Sequence, residues 1–284
     1  MVHTVEIDLG NGRMITLETG KVAKQANGSV VVRSGESVVL VTACASEKPK
    51  PGAAFFPLTV DYREYTYSAG RFPGGFIKRE GRPSEKEILT SRLIDRPIRP
   101  LFPEGFSNES QIIGMVMSAD PARDPGPLAI VGAAAALAIS DIPFHHVLSG
   151  VRVGLVNGEF IPNPSYDETR ESKINIMVAG TEDGIVMVEA GANEISEEEI
   201  VAAIEFGHEC CRKIIAGIRD LMSKAGKKKW NFQAPKINEE LSAKLDAQFR
   251  AGLTDAMNTQ KYAKIDSYHK IDELHTQAVA TVPE

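Results

Sequence analysis

The chain has 284 residues, 43% hydrophobic and 25% charged, with 32 Lys and Arg against 38 Asp and Glu and a net charge of −6. That balance excludes a uniformly basic nucleic-acid coat while leaving room for a local basic site. The longest apolar stretch, Leu128–Ile139, is interrupted by Gly132 and falls short of the ~20 residues that span a bilayer, and no secretory leader pattern opens the sequence.

Val5, Ile7 and Leu9 alternate with polar neighbours, Asn11–Gly12 supplies a hairpin turn, and Ile15 and Leu17 resume the alternation. Asn27–Gly28 reads as a second turn before Val30–Val32 and Val38–Ala45, the latter apolar enough for a strand covered on both faces. Leu58, Val60 and Tyr62 form another strand. Residues 68–81 are a loop rich in glycine and basic side chains. Ser84 and Glu87 form a capping box that opens a helix, expected to end near Asp95 because Pro97 lacks an amide hydrogen. Ile112–Met117 is a strand, and the Ala-rich Leu128–Ile139 a closely packed buried helix.

In the second half Val151, Val153 and Leu155 alternate, and Asn157–Gly158 turns the chain. Ile174–Val178 pairs with Ile185–Val188. Ser196 and Glu199 cap a long helix whose apolar stripe is Ile200, Ile204, Cys211, Ile214, Ile215, Ile218 and Met222, stopped by Gly226. Residues 227–237 have the charge and proline of a linker. From Asn238 onward the chain is helical and polar, with Leu241, Leu245, Phe249 and Leu253 at four-residue spacing. It is too poor in apolar residues for a core of its own and ends without a closing element.

Cys44, Cys210 and Cys211 do not make a disulfide framework and read as free thiols of a reducing compartment, the cytoplasm. Neither a metal-ligand spacing nor a Ser/His/Asp arrangement is present. His145 and His146 follow an expected domain crossover and suit packing or surface roles. His208 lies on the long helix, and Asp167 and Glu168 lie in a turn-forming segment.

Charge is segregated. Between Arg71 and Arg99 eight basic residues face four acidic ones, whereas residues 182–205 carry eight acidic residues and no Lys or Arg. In the basic segment Phe76 and Ile77 precede Lys78 and Arg79 on a loop loosened by Gly74 and Gly75. A ring that stacks on any base beside cations that track phosphates suits a single strand without sequence preference. The competing reading makes Phe76 a buried loop anchor and the charges a solvated face. Gly70 and Gly75 have phosphate-loop spacing, but Phe76 stands where that motif needs lysine. Arg92, Arg96 and Arg99 recur at helical spacing, as a phosphate-facing row or as an ion-pair network with Glu85, Asp95 and Glu104.

The stretch Phe55–Phe106, with its EGRPSE and RLIDRPIRPLFPEGF strings, together with INIMVAG at Ile174–Gly180, closely resembles the first ribonuclease PH-like half of the bacterial polynucleotide phosphorylase family. The resemblance implies an α/β (α+β) fold: a ribonuclease PH-like domain over residues 1–228, with subdomains of about 1–143 and 144–228, and an α-helical domain over 229–284. It implies a cytoplasmic, ring-shaped homotrimer that degrades single-stranded RNA from the 3′ end. Inorganic phosphate is the co-substrate, Mg2+ or Mn2+ the cofactor, nucleoside diphosphates the products, and RNA-degradation proteins possible partners, with no membrane. Phe76, Ile77, Lys78 and Arg79 match the family's pore loop, with Ile77 replacing an aromatic and Lys78 an arginine; Arg82, Arg92, Arg96 and Arg99 match arginines near the RNA path. No catalytic or metal-binding residue is expected here. The turn at Asp124–Leu128 lacks the serines of the catalytic half, and Thr169, Asn175 and Met177 fall near its carboxylate and lysine places. Two readings follow: part of an enzyme that threads RNA to an active site elsewhere, or a non-catalytic ring scaffold that docks proteins.

Overall fold

The computed structural model describes residues 1–49, 52, 55–234 and 238–282, in two compact units, Met1–Gln233 and Ala234–Glu284. In the first unit the Asn11–Gly12 turn joins β1 (His3–Asp8) to β2 (Met14–Thr19), and both turn residues take positive φ, as a tight hairpin requires. β3 (Gly28–Ser34) and β4 (Ser37–Pro49) follow, joined through Gly35 at φ +57°. β4 alternates buried Val39, Val41 and Ala43 with half-buried Val38, Leu40 and Thr42, so one face meets the core and the expected double covering is only partial.

β5 (Leu58–Arg63) leads through a long loop to α1 (Glu85–Ile98) and on to β6 (Asn108–Ser118). β5 and β6 pair in parallel at the edge of a sheet ordered β1-β2-β3-β4-β6-β5, otherwise antiparallel. A parallel pair needs a crossover, and the basic loop is its first half. Ser84 and Glu87 form both bonds of the expected capping box. The helix runs three residues beyond Asp95 and through Pro97. Pro97 and Ile98 are buried in the core, and that packing outweighs one missing hydrogen bond in the last turn.

α2 (Pro125–Ile139) is buried along its whole length, against β3, β4 and β6 on one side and β7 (Leu148–Val156) on the other. Small residues make this fit possible. A Cβ at Gly132 would lie 2.5 Å from Val41 Cγ2, and one at Gly28 would strike the Ala136 carbonyl. Gly28 therefore opens β3 rather than forming a turn with Asn27, whose side chain instead accepts from Ala45 N and donates to Asp141.

β8 (Glu159–Pro162), α3 (Tyr166–Glu171), β9 (Ile174–Thr181) and β10 (Ile185–Ala192) complete a second sheet ordered β10-β9-β7-β8. The turn expected at Asp167–Glu168 is the helix α3, opened by a Ser165–Glu168 capping box. α4 (Glu197–Ala225) crosses β7 and β9 and reaches β1. Its stripe ends on buried Leu221, with Met222 exposed. Residues 227–232, expected as linker, lie strapped to this unit. Lys229 Nζ donates to the carbonyls of Leu137, Ala138 and Ser140 at the end of α2, and Trp230 N donates to Asp141 O. Residues 235–237 of that stretch lie outside the described residues.

The second unit is a helix pair, α5 (Glu239–Ala256) and α6 (Lys264–Ala280), with Asn238 capping α5 and Gly252 against Leu274. Phe249 is buried, whereas Leu253 is half-exposed. Among the described residues no helix is long and apolar enough to cross a membrane.

Candidate nucleic-acid interface

The basic loop leaves the C-terminal end of β5, the end of a parallel pair where crossovers leave room for ligands. Its first arm is firm. Thr66–Ala69 forms a 3-10 turn closed by Gly70 in the left-handed region, Ser68 donates twice to Tyr65 O, and Ala119 N donates to Ser68 O, tying the arm to the end of β6. Beyond Gly70 the side chains point outward. Phe76 is 102% exposed, Phe72 89% and Ile77 69%. The anchor reading of Phe76 does not hold. Lys78, Arg79 and Arg82 are exposed, and their side chains make no hydrogen bond or ion pair among the described residues.

On α1 the exposed face carries Ile88, Leu89, Arg92 and Arg96, and both arginines lack a protein partner among the described residues. Arg99 differs. Its guanidinium holds Asp95 at 2.6 and 3.0 Å and donates to the carbonyls of Phe56 and Leu58, each at 3.0 Å. Two of its hydrogen bonds thus brace the start of β5, in a groove of about 590 Å³ shared with Phe55, Phe56, Pro100 and Phe102. The structure therefore gathers Phe76–Arg79 and Arg82 on one loop, sets Arg92 and Arg96 on the following helix, and spends Arg99 on the fold.

Behind the loop lies a polar network. Lys86 Nζ contacts Glu64 at 2.9 Å and the Tyr166 hydroxyl at 3.0 Å, Tyr62 donates to Glu64, and Asp124 faces both Lys86 and Arg152. Burial works to lower the Lys86 ammonium, but Tyr166, Asp124 and Glu64 outweigh it and hold it above the ordinary lysine range. Burial, then Glu64, raises the Tyr62 phenol. Asp124 also caps α2 by accepting from Gly126 N. These groups are committed to one another. Asn175 accepts from Arg152 at 2.6 Å, Met177 is buried in the core and Thr169 donates to Ser165 O, so the positions nearest a catalytic place present no free carboxylate. Among the described residues no group of three or more His, Cys, Asp or Glu could hold a metal ion, and a divalent cation does not fit this network.

Elsewhere His145 and His146 are exposed, and His208 Nε2 sits 2.8 Å from Thr181 O. The three cysteines are free, and burial pushes the Cys211 thiol up to about 12. Arg13 and Glu168, unremarkable in sequence, meet at 2.6 Å across 155 residues. Phe72 and Glu80 were also unmarked. The exposed ring of Phe72 gives no periodic signal, and Glu80 counts in a sequence only as a charge.

Two mixed or antiparallel sheets enclosing a buried alanine-rich helix, with a crossover loop rich in glycine and cations, define a ribonuclease PH-like α/β protein. The chain belongs to the 3′ exoribonuclease family: that family's domain 1 matches residues 11–143 and its domain 2 residues 146–210. A polyribonucleotide nucleotidyltransferase of Solibacter usitatus is 65% identical over 284 residues, covering 100% of this chain and 40% of that relative. The chain thus spans about two fifths of that relative's length. Rice (Oryza sativa) Rrp46 shares the fold with a TM-score of 0.60 at 19% identity, covering 76% of this chain and 97% of its own. A chain of the Archaeoglobus fulgidus exosome with RNA bound to the active site matches with a TM-score of 0.53 at 17% identity, over 75% of this chain and 86% of its own.

Proposed function

We propose that this chain is the RNA-gripping, ring-building part of a phosphate-dependent 3′-to-5′ exoribonuclease whose chemistry is done by residues outside it. The observation that carries the reading is the loop tip. A wholly exposed phenyl ring stands two and three residues before two cations whose side chains have no protein partner among the described residues, on a loop whose glycines meet nothing nearby. A ring in water costs free energy unless something covers it, and a nucleobase flanked by phosphates covers both the ring and the cations.

Phe76 stacks on a base and Ile77 adds apolar contact. Lys78, Arg79 and Arg82 take phosphates, and Arg92 and Arg96 extend the cationic track along α1. Ile77 and Lys78 give one stacking face and one bidentate donor fewer than a loop of two aromatics and two arginines. The polymer is single-stranded RNA, the assembly a homotrimeric ring and the compartment the cytoplasm. Phosphate as attacking co-substrate and Mg2+ are assigned to the part of the enzyme beyond this chain; for the cation, the nearest carboxylates here, Glu64 and Asp124, are already paired with Lys86 and Arg152. The likeness to polyribonucleotide nucleotidyltransferases supports the reaction class. Phe76→Ala, made in a protein of the relatives' full length, is expected to weaken binding of a single-stranded oligoribonucleotide by about 1–3 kcal/mol. Unaltered affinity would remove the grip from this loop.

A further inference from the structure

The neck of the gripping loop is closed by one carboxylate. Glu80 Oε1 accepts from Thr66 N at 2.8 Å, and Thr66 Oγ1 donates to Glu80 Oε1 and Oε2 at 2.8 and 2.9 Å. Thr66 opens the 3-10 turn that is tied to β6 through Ser68 and Ala119, so this end of the clasp is fixed to the body. The other arm has little else. Between Arg71 and Gly81 the remaining links in the described structure are Arg71 N to Thr66 O, Arg79 N to Ile77 O within the tip itself, and a long contact of 3.4 Å from Arg63 Nη2 to Gly81 O.

A carboxylate is a poor choice for this place on charge alone. Glu80 adjoins Arg79 and lies two residues before Arg82, where its negative charge opposes every phosphate those arginines would meet. Its two donors, the Thr66 amide and hydroxyl, account for it. With Gly70, Gly74, Gly75 and Gly81 in open space, the tip has backbone freedom that must be lost when a ligand is gripped. We propose that Glu80 is a positioning residue for RNA: by clasping Thr66 it fixes where Phe76, Lys78 and Arg79 stand before the strand arrives. This rests on the reading of the loop as an RNA grip.

The clasp and simple charge make opposite forecasts for Glu80→Ala in a protein of the relatives' full length. Removing a negative charge beside phosphates tightens RNA binding; opening the neck weakens it, by about threefold to tenfold for one or two side chains that must then be ordered on binding. Thr66→Val keeps the charge and the shape but removes the hydroxyl donor, and should weaken binding in the same direction, whereas Thr66→Ser should restore it. The readout is the dissociation constant of a labelled single-stranded oligoribonucleotide, with thermal melting alongside. Tighter or equal binding by Glu80→Ala, or Thr66→Ser no better than Thr66→Val, overturns the clasp. If Glu80→Ala fails to fold, the Thr66 pair decides. Phe76→Ala run in parallel separates the two claims. If it weakens binding while the clasp variants do not, the clasp alone is wrong; if it too leaves binding unchanged, the grip fails and takes the clasp with it.

Discussion

Lys229 shows how one side chain can join a strap to a core. Its amine reaches three carbonyls at the C-terminus of α2, where the helix dipole favours a cation. Burial lowers its pKa to about 8, against the partial opposition of Asp141. As pH rises above 8 the folded chain therefore releases a proton that the unfolded chain keeps until the ordinary lysine range, and this group's contribution to stability grows over that window. Lys229→Met should cost about 1–2 kcal/mol at neutral pH by removing the donor to the Ala138 and Ser140 carbonyls. In denaturant titrations the gap to the parent should widen from pH 8 towards pH 10; a gap that narrows would contradict the assignment. None of this was legible in the sequence, where KKKWNFQAPKI has the composition of a linker. The opposite case is Phe76: its glycine and cation neighbours marked it from the sequence, but only burial could separate a stacking ring from an anchor.

At the scale of elements, local chemistry was readable wherever it was self-contained. The Ser84–Glu87 and Ser196–Glu199 boxes appear where the spacing puts them. Failures arose where tertiary packing overrode local preference: Gly28 lies in a strand because a helix passes against it, and Pro97 stays helical because its face is buried. The α1 box also has a tertiary role, since Glu87 accepts from Ser84 N, Glu64 N and Arg63 Nε. Burial works to raise the Glu87 carboxyl, but the Ser84 and Glu64 amides, the Ser84 hydroxyl and Arg63 outweigh it and hold it below the usual range. That stabilisation is present at neutral pH and is lost as pH falls below about 4.5 through the lowered folded value. Glu87→Gln should reduce stability by about 1 kcal/mol at pH 7 and flatten the acid limb of the stability curve, measured by circular dichroism. An unchanged acid limb would mean the three donors do not distinguish carboxylate from amide.

For the molecule as a whole, charge segregation and fold class were visible in composition and pattern, and the long motif strings carried the family. The spatial fate of individual cations was not. Arg92, Arg96 and Arg99 share a helical rhythm, yet Arg99 is spent on Asp95 and two carbonyls while the other two face solvent. The network of Lys86, Asp124, Arg152 and Asn175 joins residues far apart in sequence and gives no periodic signal. Its carboxylates, Glu64 and Asp124, are already paired with Lys86, Tyr62 and Arg152, so the 284-residue chain, given polyadenylate, phosphate and Mg2+, should release no ADP above background. Release proportional to the amount of chain would overturn the division of labour.

The central claim is that Lys78 and Arg79 meet phosphates. Its most direct test is the salt dependence of single-stranded RNA binding by a protein of the relatives' full length, with and without Lys78→Ala and Arg79→Ala together. Two lost phosphate contacts should lower affinity and reduce the slope of log K against log salt by about 1.4, at about 0.7 per contact. An identical slope in the double variant would contradict the account.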